Sequence, residues 1–249
     1  MKKETHIKNV SLFFITKPLK MKRIDIILDI LMAFVFADCH AQTDDIKTFS
    51  VIGDSYSTFE GYIPEGNACW YFTTARSDND VSSVEQTWWH LFAKKNGYEL
   101  LLNDSYSGST ICNTGYDGVD YSDRSFIKRM YNVTPNNPDL IVIFGGTNDS
   151  WANSPIGELQ FKDWSSSDLY SCLPACCFLL DHLTTVAKDS QIIFLINTEL
   201  KEEITEGIIE ACKHYGVQSL QLIDIEKQSG HPSIKGMSQI CDQLSSFIN

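Results

Sequence analysis

The sequence predicts an α/β fold in which a parallel sheet carries helices on both faces. Short apolar runs alternate with helical patterns along the chain, which is the order that parallel strands and their crossover helices require. Three of these runs stop at glycine and small polar residues, as strands do at the functional edge of an open α/β sheet. A chain of 249 residues, 43% hydrophobic and 21% charged, is long enough for one such domain with a full core.

Five strands are predicted from apolar runs of four or five residues that turn residues or helical patterns separate. Because the five strands alternate with helices along the chain, we expect a parallel, doubly wound sheet with both faces covered. The predicted strands are residues 49–52, 98–102, 140–144, 192–196 and 219–223.

The intervening segments show helical spacing of apolar residues. Gly97 and Gly216 are placed to end two of the helices. Two further stretches, 59–83 and 150–167, lack periodicity and are too long for simple connections, so we expect them to form walls of a functional site. The predicted helices are residues 84–96, 122–131, 168–188 and 202–215, and a last one ending near 247.

The first 41 residues differ from the rest and resemble an N-terminal extension with a signal peptide. A second possible start at Met21 is followed by basic residues, an apolar stretch at 30–37 and a small-residue site before Gln42. We therefore expect an exported domain that spans residues 42–249. Lipid anchoring at Cys39 is disfavoured because Asp38 precedes it, and the uncharged run is shorter than the roughly 18 residues that a membrane span needs, so no stable membrane insertion is expected.

Charge and cysteine content exclude several classes of function. The net charge is −12 and the basic residues form no cluster beyond the N-terminus, which excludes a nucleic-acid partner. The eight cysteines show no Cys-x-x-Cys pair and no Cys/His spacing typical of zinc sites, so no metal site is predicted. Cys69 and Cys112 fall in loops beside the expected site, and we hypothesise a disulfide between them.

Three strand ends carry residues suited to acyl transfer. They read Gly-Asp-Ser at Ser55, Ser-Gly-Ser-Thr at Gly108 and Gly-Gly-Thr-Asn-Asp at Asn148. A parallel sheet brings these ends to one crevice, where Ser55 could act as nucleophile and His231, from the last loop, as base. The N–H groups of Ser55 and Gly108 and the amide of Asn148 could then hold the oxyanion. Gly-Asp-Ser alone is also a common ordinary turn, so the prediction depends on all the segments together.

With these four segments in this order, the chain resembles the SGNH, or GDSL-like, hydrolase family over residues 49–248. The resemblance implies a three-layer αβα sandwich around a flavodoxin-like five-stranded parallel sheet. It also implies a nucleophilic Ser55, a catalytic His231, an oxyanion hole of Ser55, Gly108 and Asn148, and chemistry without a metal or organic cofactor.

The sequence departs from the family pattern near the histidine. The family has an aspartate three residues before it, whereas this chain has Gln228. Three alternatives follow. Gln228 or a backbone carbonyl orients His231 in a dyad, Glu226 or Asp224 supplies the carboxylate, or the protein binds substrate but turns it over poorly.

The predicted function is a serine esterase that removes a small acyl group, in particular acetyl, from a carbohydrate or other small polar ester. Aromatic residues near the site could stack on sugar rings or merely anchor their loops. The alternatives are a lipid acylhydrolase, a catalytically impaired carbohydrate-binding homologue and, with less support, a flavin-binding module. The candidate substrate-binding residues are Trp70, Tyr71, Trp151 and Trp164.

Overall fold

The computed structural model describes residues 46–249, so the predicted leader and Cys39 lie outside the described residues. Within that range five parallel strands form one sheet in the order β2-β1-β3-β4-β5, which confirms the predicted α/β class. The strands are β1 (Lys47–Gly53), β2 (Tyr98–Ser105), β3 (Leu140–Gly145), β4 (Gln191–Ile196) and β5 (Gln218–Gln221).

Helices cover both faces of this sheet, and the three-layer prediction is therefore confirmed. Two helices, α1 (Trp88–Asn96) and α6 (Ile234–Ile248), pack on one face. The opposite face carries α2 (Phe126–Arg129), α4 (Cys172–Val186) and α5 (Glu202–Tyr215), while the short α3 (Thr147–Trp151) follows β3 directly.

The core divides into two layers because successive side chains of a strand point to opposite faces. Ile52 and Ile143 pack under α4 and α5, whereas their neighbours Val51 and Val142 pack under α1 and α6. All four side chains are fully buried. Both layers are therefore needed to hold β1 and β3 in the middle of the sheet, where the candidate site begins.

The strand order brings the three predicted site segments together. β1 lies between β2 and β3, and its last residue, Gly53, pairs with Ser105 on one side and Phe144 on the other. This order is the flavodoxin-like one, in which the chain reverses direction across the sheet beside β1 and opens a crevice at the carboxyl ends of the strands. The segments after β1, β2 and β3 therefore share one edge.

The observed elements differ from the predicted ones in several places. The helices predicted at 84–96 and 168–188 each begin four residues late, at Trp88 and Cys172, after a short 3₁₀ turn. The helix predicted at 122–131 shrinks to α2, because residues 121–125 form a turn in which the Arg124 and Ser125 N–H groups both bond to the Tyr121 carbonyl. The last predicted strand ends two residues early. A small antiparallel hairpin, β6 (Lys227–Gln228) and β7 (His231–Pro232), is present where only a loop was predicted.

The predicted disulfide is wrong. Each of the seven cysteines that the structure describes is free. Cys112 is fully buried with its thiol directed at the Thr114 carbonyl, whereas the Cys69 thiol lies 3.1 Å from the Tyr71 carbonyl. The two loops flank the site as expected, but they direct these side chains to different backbone partners.

A membrane-spanning helix was also sought among residues 46–249. None of the helices there is both long enough and apolar enough to cross a bilayer.

Candidate active site

The turn that carries Ser55, the predicted nucleophile, begins where β1 ends. Asp54 caps a short 3₁₀ segment, Ser55–Ser57, by accepting a hydrogen bond of 3.0 Å from the Tyr56 N–H. A Cβ atom at Gly53 would lie 2.6 to 2.7 Å from the hydroxyl oxygens of Ser57 and Ser105. Gly53 is thus required by close packing under the turn rather than by a left-handed backbone, and the turn holds Ser55 at the rim of the sheet.

Ser55 and His231 meet across the crevice although 176 positions separate them in the chain. The Ser55 Oγ lies 3.0 Å from His231 Nε2, and the His231 Nδ1 lies 3.0 Å from the Ser229 carbonyl oxygen. A carbonyl can only accept, so Nδ1 carries the proton and Nε2 is left to accept from the serine hydroxyl. This is the tautomer that a general base for Ser55 requires.

The β6–β7 hairpin positions the histidine ring. Its two turn residues, Ser229 and Gly230, both have positive φ (50° and 76°), as in the type I′ turns that close tight hairpins. Tyr56, next to the nucleophile, donates its hydroxyl hydrogen to the Gly230 carbonyl. The turn therefore directs the Ser229 carbonyl at the ring while the nucleophile segment holds the turn in place.

The side chains proposed to orient His231 have other partners. The Gln228 Oε1 accepts from the Asp80 N–H at 2.9 Å and its Nε2 donates to the Asp80 carboxylate at 3.2 Å. Glu226 accepts from the Ser233 hydroxyl and from the Lys235 ammonium group. Among the residues that the structure describes, no hydrogen bond joins Gln228, Glu226 or Asp224 to the ring, so the backbone acceptor is the one observed.

The three donors predicted for an oxyanion hole follow the ends of β1, β2 and β3. In residues 46–249, neither the Ser55 N–H nor the Gly108 N–H bonds to another protein group. The Asn148 Nδ2 donates one hydrogen to the Ser109 carbonyl at 3.0 Å and keeps a second hydrogen for another acceptor. Gly108 has a φ of 83°, a conformation that costs other residues about 1–2 kcal/mol, which explains a glycine there.

Tyr116 is a site residue that sequence reasoning missed. Its hydroxyl donates to the Asn148 Oδ1 at 2.8 Å, which fixes the orientation of the amide and leaves its Nδ2 as the donor to the Ser109 carbonyl. Burial raises the pKa of Tyr116 to about 12, so it remains a donor throughout the neutral range. Tyr116 lies in an irregular segment after β2, and no motif marks it.

The aromatic residues predicted to bind substrate fall into different environments. Trp70 stacks on the His231 ring, with 3.5 Å between ring centroids and 8° between planes, and Tyr71 is fully buried with its hydroxyl on the Pro232 carbonyl. Trp164 packs against Phe178 in the opposite core layer. Trp151 is 41% exposed, and its ring centroid lies 5.8 Å from that of His231, so it alone of the four combines exposure with contact at the crevice.

Burial controls the electrostatics of the site. Ser55 is 2% exposed and His231 is 6% exposed. Desolvation lowers the pKa of His231 to about 4, although the hydrogen bond to Ser229 opposes that effect. His231 is therefore neutral, and able to accept a proton, over the whole neutral range.

Two buried carboxyl groups support the loops around this site. Burial raises the pKa of Asp54 to about 7, against the opposing hydrogen bond from Tyr56. The Asp149 carboxylate accepts from the N–H groups of Ile111 and Cys112, and so ties the end of β3 to the segment after β2. Both carboxylates bond to backbone groups in turns, consistent with a role in bracing the loops.

Comparison with known proteins gives a consistent result. The family model for GDSL-like lipases and acylhydrolases matches residues 47–248. A solved structure from Bacteroides ovatus ATCC 8483, assigned to the GDSL-like lipases, is 51% identical, with 82% of this chain and 98% of that one covered at a TM-score of 0.79. The corresponding protein of Bacteroides uniformis ATCC 8492 is 48% identical, with coverages of 81% and 95% and a TM-score of 0.78.

A more distant likeness concerns the fold alone. An acetyl xylan esterase from the rumen bacterium Butyrivibrio proteoclasticus is 18% identical, with 81% of this chain and 63% of that one covered at a TM-score of 0.52. No curated protein matches the chain at a significant level.

Proposed function

Because the chain belongs to the GDSL-like lipase/acylhydrolase family and is thus a hydrolase of ester bonds, we propose that it is a serine esterase in which Ser55 and His231 form a catalytic dyad. The observation that carries this proposal is the 3.0 Å contact between the Ser55 Oγ and the His231 Nε2, with the Nδ1 proton engaged by a backbone carbonyl. No step requires a side-chain carboxylate on the histidine.

The mechanism follows from these contacts. His231 takes the hydroxyl proton of Ser55 as the serine oxygen attacks the ester carbonyl, and the N–H groups of Ser55 and Gly108 with the Asn148 amide hold the negative oxygen. The alcohol leaves with the proton that His231 returns. Water then attacks the acyl-enzyme by the same route, releasing the acid and restoring the free serine hydroxyl.

The proposed substrate is a small acyl ester, in particular acetate, carried by a carbohydrate. The nucleophile and the oxyanion asparagine are each 2% exposed, which suits a compact acyl group better than a long chain. Trp151 offers an exposed flat surface beside the crevice, of the kind that stacks on sugar rings. The acetyl xylan esterase that shares the fold is in keeping with this substrate class.

A lipid acylhydrolase is the second candidate, since the two Bacteroides relatives are assigned to the GDSL-like lipases. A lipase would need a broad apolar surface around the crevice. Among residues 46–249, Trp151 is the exposed large apolar side chain that packs against the histidine ring. This arrangement favours the carbohydrate ester.

One assay series separates the candidates. Hydrolysis of p-nitrophenyl acetate is compared with that of a long-chain p-nitrophenyl ester, and acetate release from acetylated xylan is measured in parallel, each with Ser55→Ala as the control. Turnover of the acetyl substrates that Ser55→Ala abolishes is expected. Preference for the long chain would favour the lipase, and binding to xylan without turnover of any ester would indicate an impaired homologue.

The proposal includes export. It is supported by the pattern of basic, apolar and small residues between Met21 and Gln42. Expression of the full chain in a bacterium with a periplasm, followed by mass determination of the product, tests it: a mature protein that begins at Gln42 is expected, and a cytoplasmic product with an intact leader would contradict it.

A further inference from the structure

The proposed catalytic histidine lies at one end of a stack of aromatic and charged side chains that no sequence motif indicates. Trp70 lies flat on the His231 ring. The Arg76 guanidinium covers the opposite face of the indole, with 3.9 Å between its Cζ and the Trp70 ring centroid. Arg76 in turn is paired with Asp78, with 3.0 Å between Nε and Oδ1 and 3.4 Å between Nη2 and Oδ2. We call this arrangement of Asp78, Arg76, Trp70 and His231 the Trp70 stack.

The backbone around Trp70 is held in place independently of the histidine ring. The backbone N–H of Trp70 donates to the Thr58 hydroxyl at 2.9 Å. The neighbouring Tyr71 hydroxyl donates to the Pro232 carbonyl at 2.9 Å, which joins the Trp70 segment to the strand that carries His231. The backbone that carries the indole is therefore fixed to both the Ser55 segment and the hairpin, and the indole itself is held by stacking between His231 and Arg76.

Resting on the serine-esterase mechanism proposed above, we propose that Trp70 is a positioning residue that orients His231, a task that the aspartate performs in a Ser-His-Asp triad, and that the Arg76–Asp78 pair behind the indole tunes the charge that the ring meets. The indole fixes the ring in the plane that serves both Ser55 and Ser229. Its π face also stabilises the positive charge that the ring gains when it takes the serine proton.

The physical reason lies in what the backbone acceptor lacks. The Ser229 carbonyl orients Nδ1 and fixes the tautomer, but it carries no net charge and so stabilises the imidazolium less than the carboxylate of a Ser-His-Asp triad does. A tryptophan face within about 6 Å of a cation attracts it, and tryptophan does so better than tyrosine or phenylalanine. At a centroid distance of 3.5 Å, Trp70 is well within that range.

The charged groups around the ring act on it in opposite directions. Arg76 on the loop and Lys227 on β6 lower the pKa of His231, whereas Asp78 raises it. The other rings packed around the imidazole belong to Tyr56, Tyr71 and Trp151, whose centroids lie 5.3, 6.5 and 5.8 Å away. The Arg76–Asp78 pair is thus placed to tune the base through the indole from its outer face.

The charge pair gives the sharpest test, because both side chains are partly exposed and their removal should leave the fold intact. Arg76→Gln removes a cation, so the imidazolium becomes less costly and the pKa of His231 should rise by about 0.5 to 1. Asp78→Asn leaves Arg76 uncompensated, so that pKa should fall. The pKa is read from the His231 ring signals by NMR titration, and the acid limb of kcat/KM is expected to move with it.

The indole itself is tested by Trp70→Leu and Trp70→Phe. Trp70→Leu should lower kcat on p-nitrophenyl acetate 10- to 100-fold with KM within about twofold, and Trp70→Phe, which keeps a weaker aromatic face, should recover most of the loss. Circular dichroism of both variants checks folding.

Shifts of the same sign in Arg76→Gln and Asp78→Asn, or no shift in either, would overturn the proposal. An equal loss in Trp70→Leu and Trp70→Phe with intact folding, or a loss confined to KM, would also overturn it. The NMR titration does not depend on turnover. If wild type hydrolyses no ester while the two pKa shifts appear as expected, the esterase assignment fails and the effect of the stack on His231 stands.

Discussion

On one side of Ser55 the proposed oxyanion donors follow strand ends, and on the other side the proposed base, His231, is held by a hairpin and a long loop. Gly108 and Asn148 each lie three residues beyond the last residue of β2 or β3, so the register of the sheet places them. His231 depends instead on contacts between segments far apart in sequence. Asn79 donates to the Pro232 carbonyl across 153 positions, and Asp80 bonds to Gln228 across 148.

The difference concerns what each side requires from the sequence. The oxyanion side needs particular residues at particular strand ends, and a local motif is enough to specify them. The histidine side needs two irregular segments to fold onto each other, and its decisive acceptor is a main-chain atom. We expect substitutions on the first side to affect the chemistry directly, and substitutions on the second to act through the placement of the ring.

The largest effect is expected on the oxyanion side. Asn148→Ala removes the one side-chain donor to the developing oxyanion, and loss of such a donor lowers kcat by about 10² to 10³. KM for p-nitrophenyl acetate should change little, because the interaction strengthens in the transition state. A tenfold or smaller loss would mean that the N–H groups of Ser55 and Gly108 suffice and that this side is less dependent on side chains than the comparison states.

Gln228→Asp tests the contacts that hold the histidine side together. The shorter side chain loses both bonds to Asp80 and places a second carboxylate beside it, so the free energy of unfolding should fall by about 1–3 kcal/mol with no gain in kcat. For a domain of this size that corresponds to a Tm lower by roughly 2–12 °C, measured by calorimetry. Gln228→Ala, which removes the bonds without adding charge, is the matched control. An increase in kcat for Gln228→Asp would show that a carboxylate at this position reaches the ring.

Tyr116→Phe tests how far the oxyanion side depends on the orientation of Asn148. Loss of the hydroxyl that orients the Asn148 amide should lower kcat about tenfold. A tenfold loss corresponds to about 1.4 kcal/mol, near the upper end of what a hydrogen bond between neutral groups contributes. In the Asn148→Ala background the same change should cost nothing further, because the amide is already absent. An additional tenfold loss in the double variant would assign Tyr116 a separate role.

Ser229→Asn should have the smallest effect, and in the stabilising direction. Asn-Gly is the preferred pair for a type I′ turn, so relief of the left-handed serine should raise stability by about 0.5–1 kcal/mol. The orienting carbonyl belongs to the backbone, so kcat should not change. A clear loss of kcat would show that the serine hydroxyl, rather than the turn, matters to the base.

Much of the site could be predicted from sequence because it follows from the sheet. Ser55, Gly108 and Asn148 come after apolar runs that end in glycine and polar residues, and adjacent parallel strands bring them together. The same reasoning failed for the interior of residues 59–83, where no periodicity shows which way Trp70 or Tyr71 points. Tyr71 is core, and Trp70 has both faces covered, which only the long-range contacts determine.

The acceptor that orients His231 was predicted only as one of several alternatives. A backbone carbonyl was among them beside Gln228, Glu226 and Asp224, but residue types alone do not identify which carbonyl it is. The dipeptide Ser229-Gly230 is a turn signal that could have suggested the hairpin. Even then, the direction of its carbonyl depends on the φ angles of the turn and on the bond from Tyr56.

A main-chain acceptor has an evolutionary consequence. No point mutation can delete the Ser229 oxygen, whereas a single nucleotide change can remove a catalytic aspartate. We therefore expect drift at positions 228 and 229 to leave kcat intact so long as the hairpin keeps its shape, and we expect homologues that lack an acidic residue before the histidine but keep this acceptor to remain active. Surveys that score such homologues as inactive by that one missing letter would discard working enzymes.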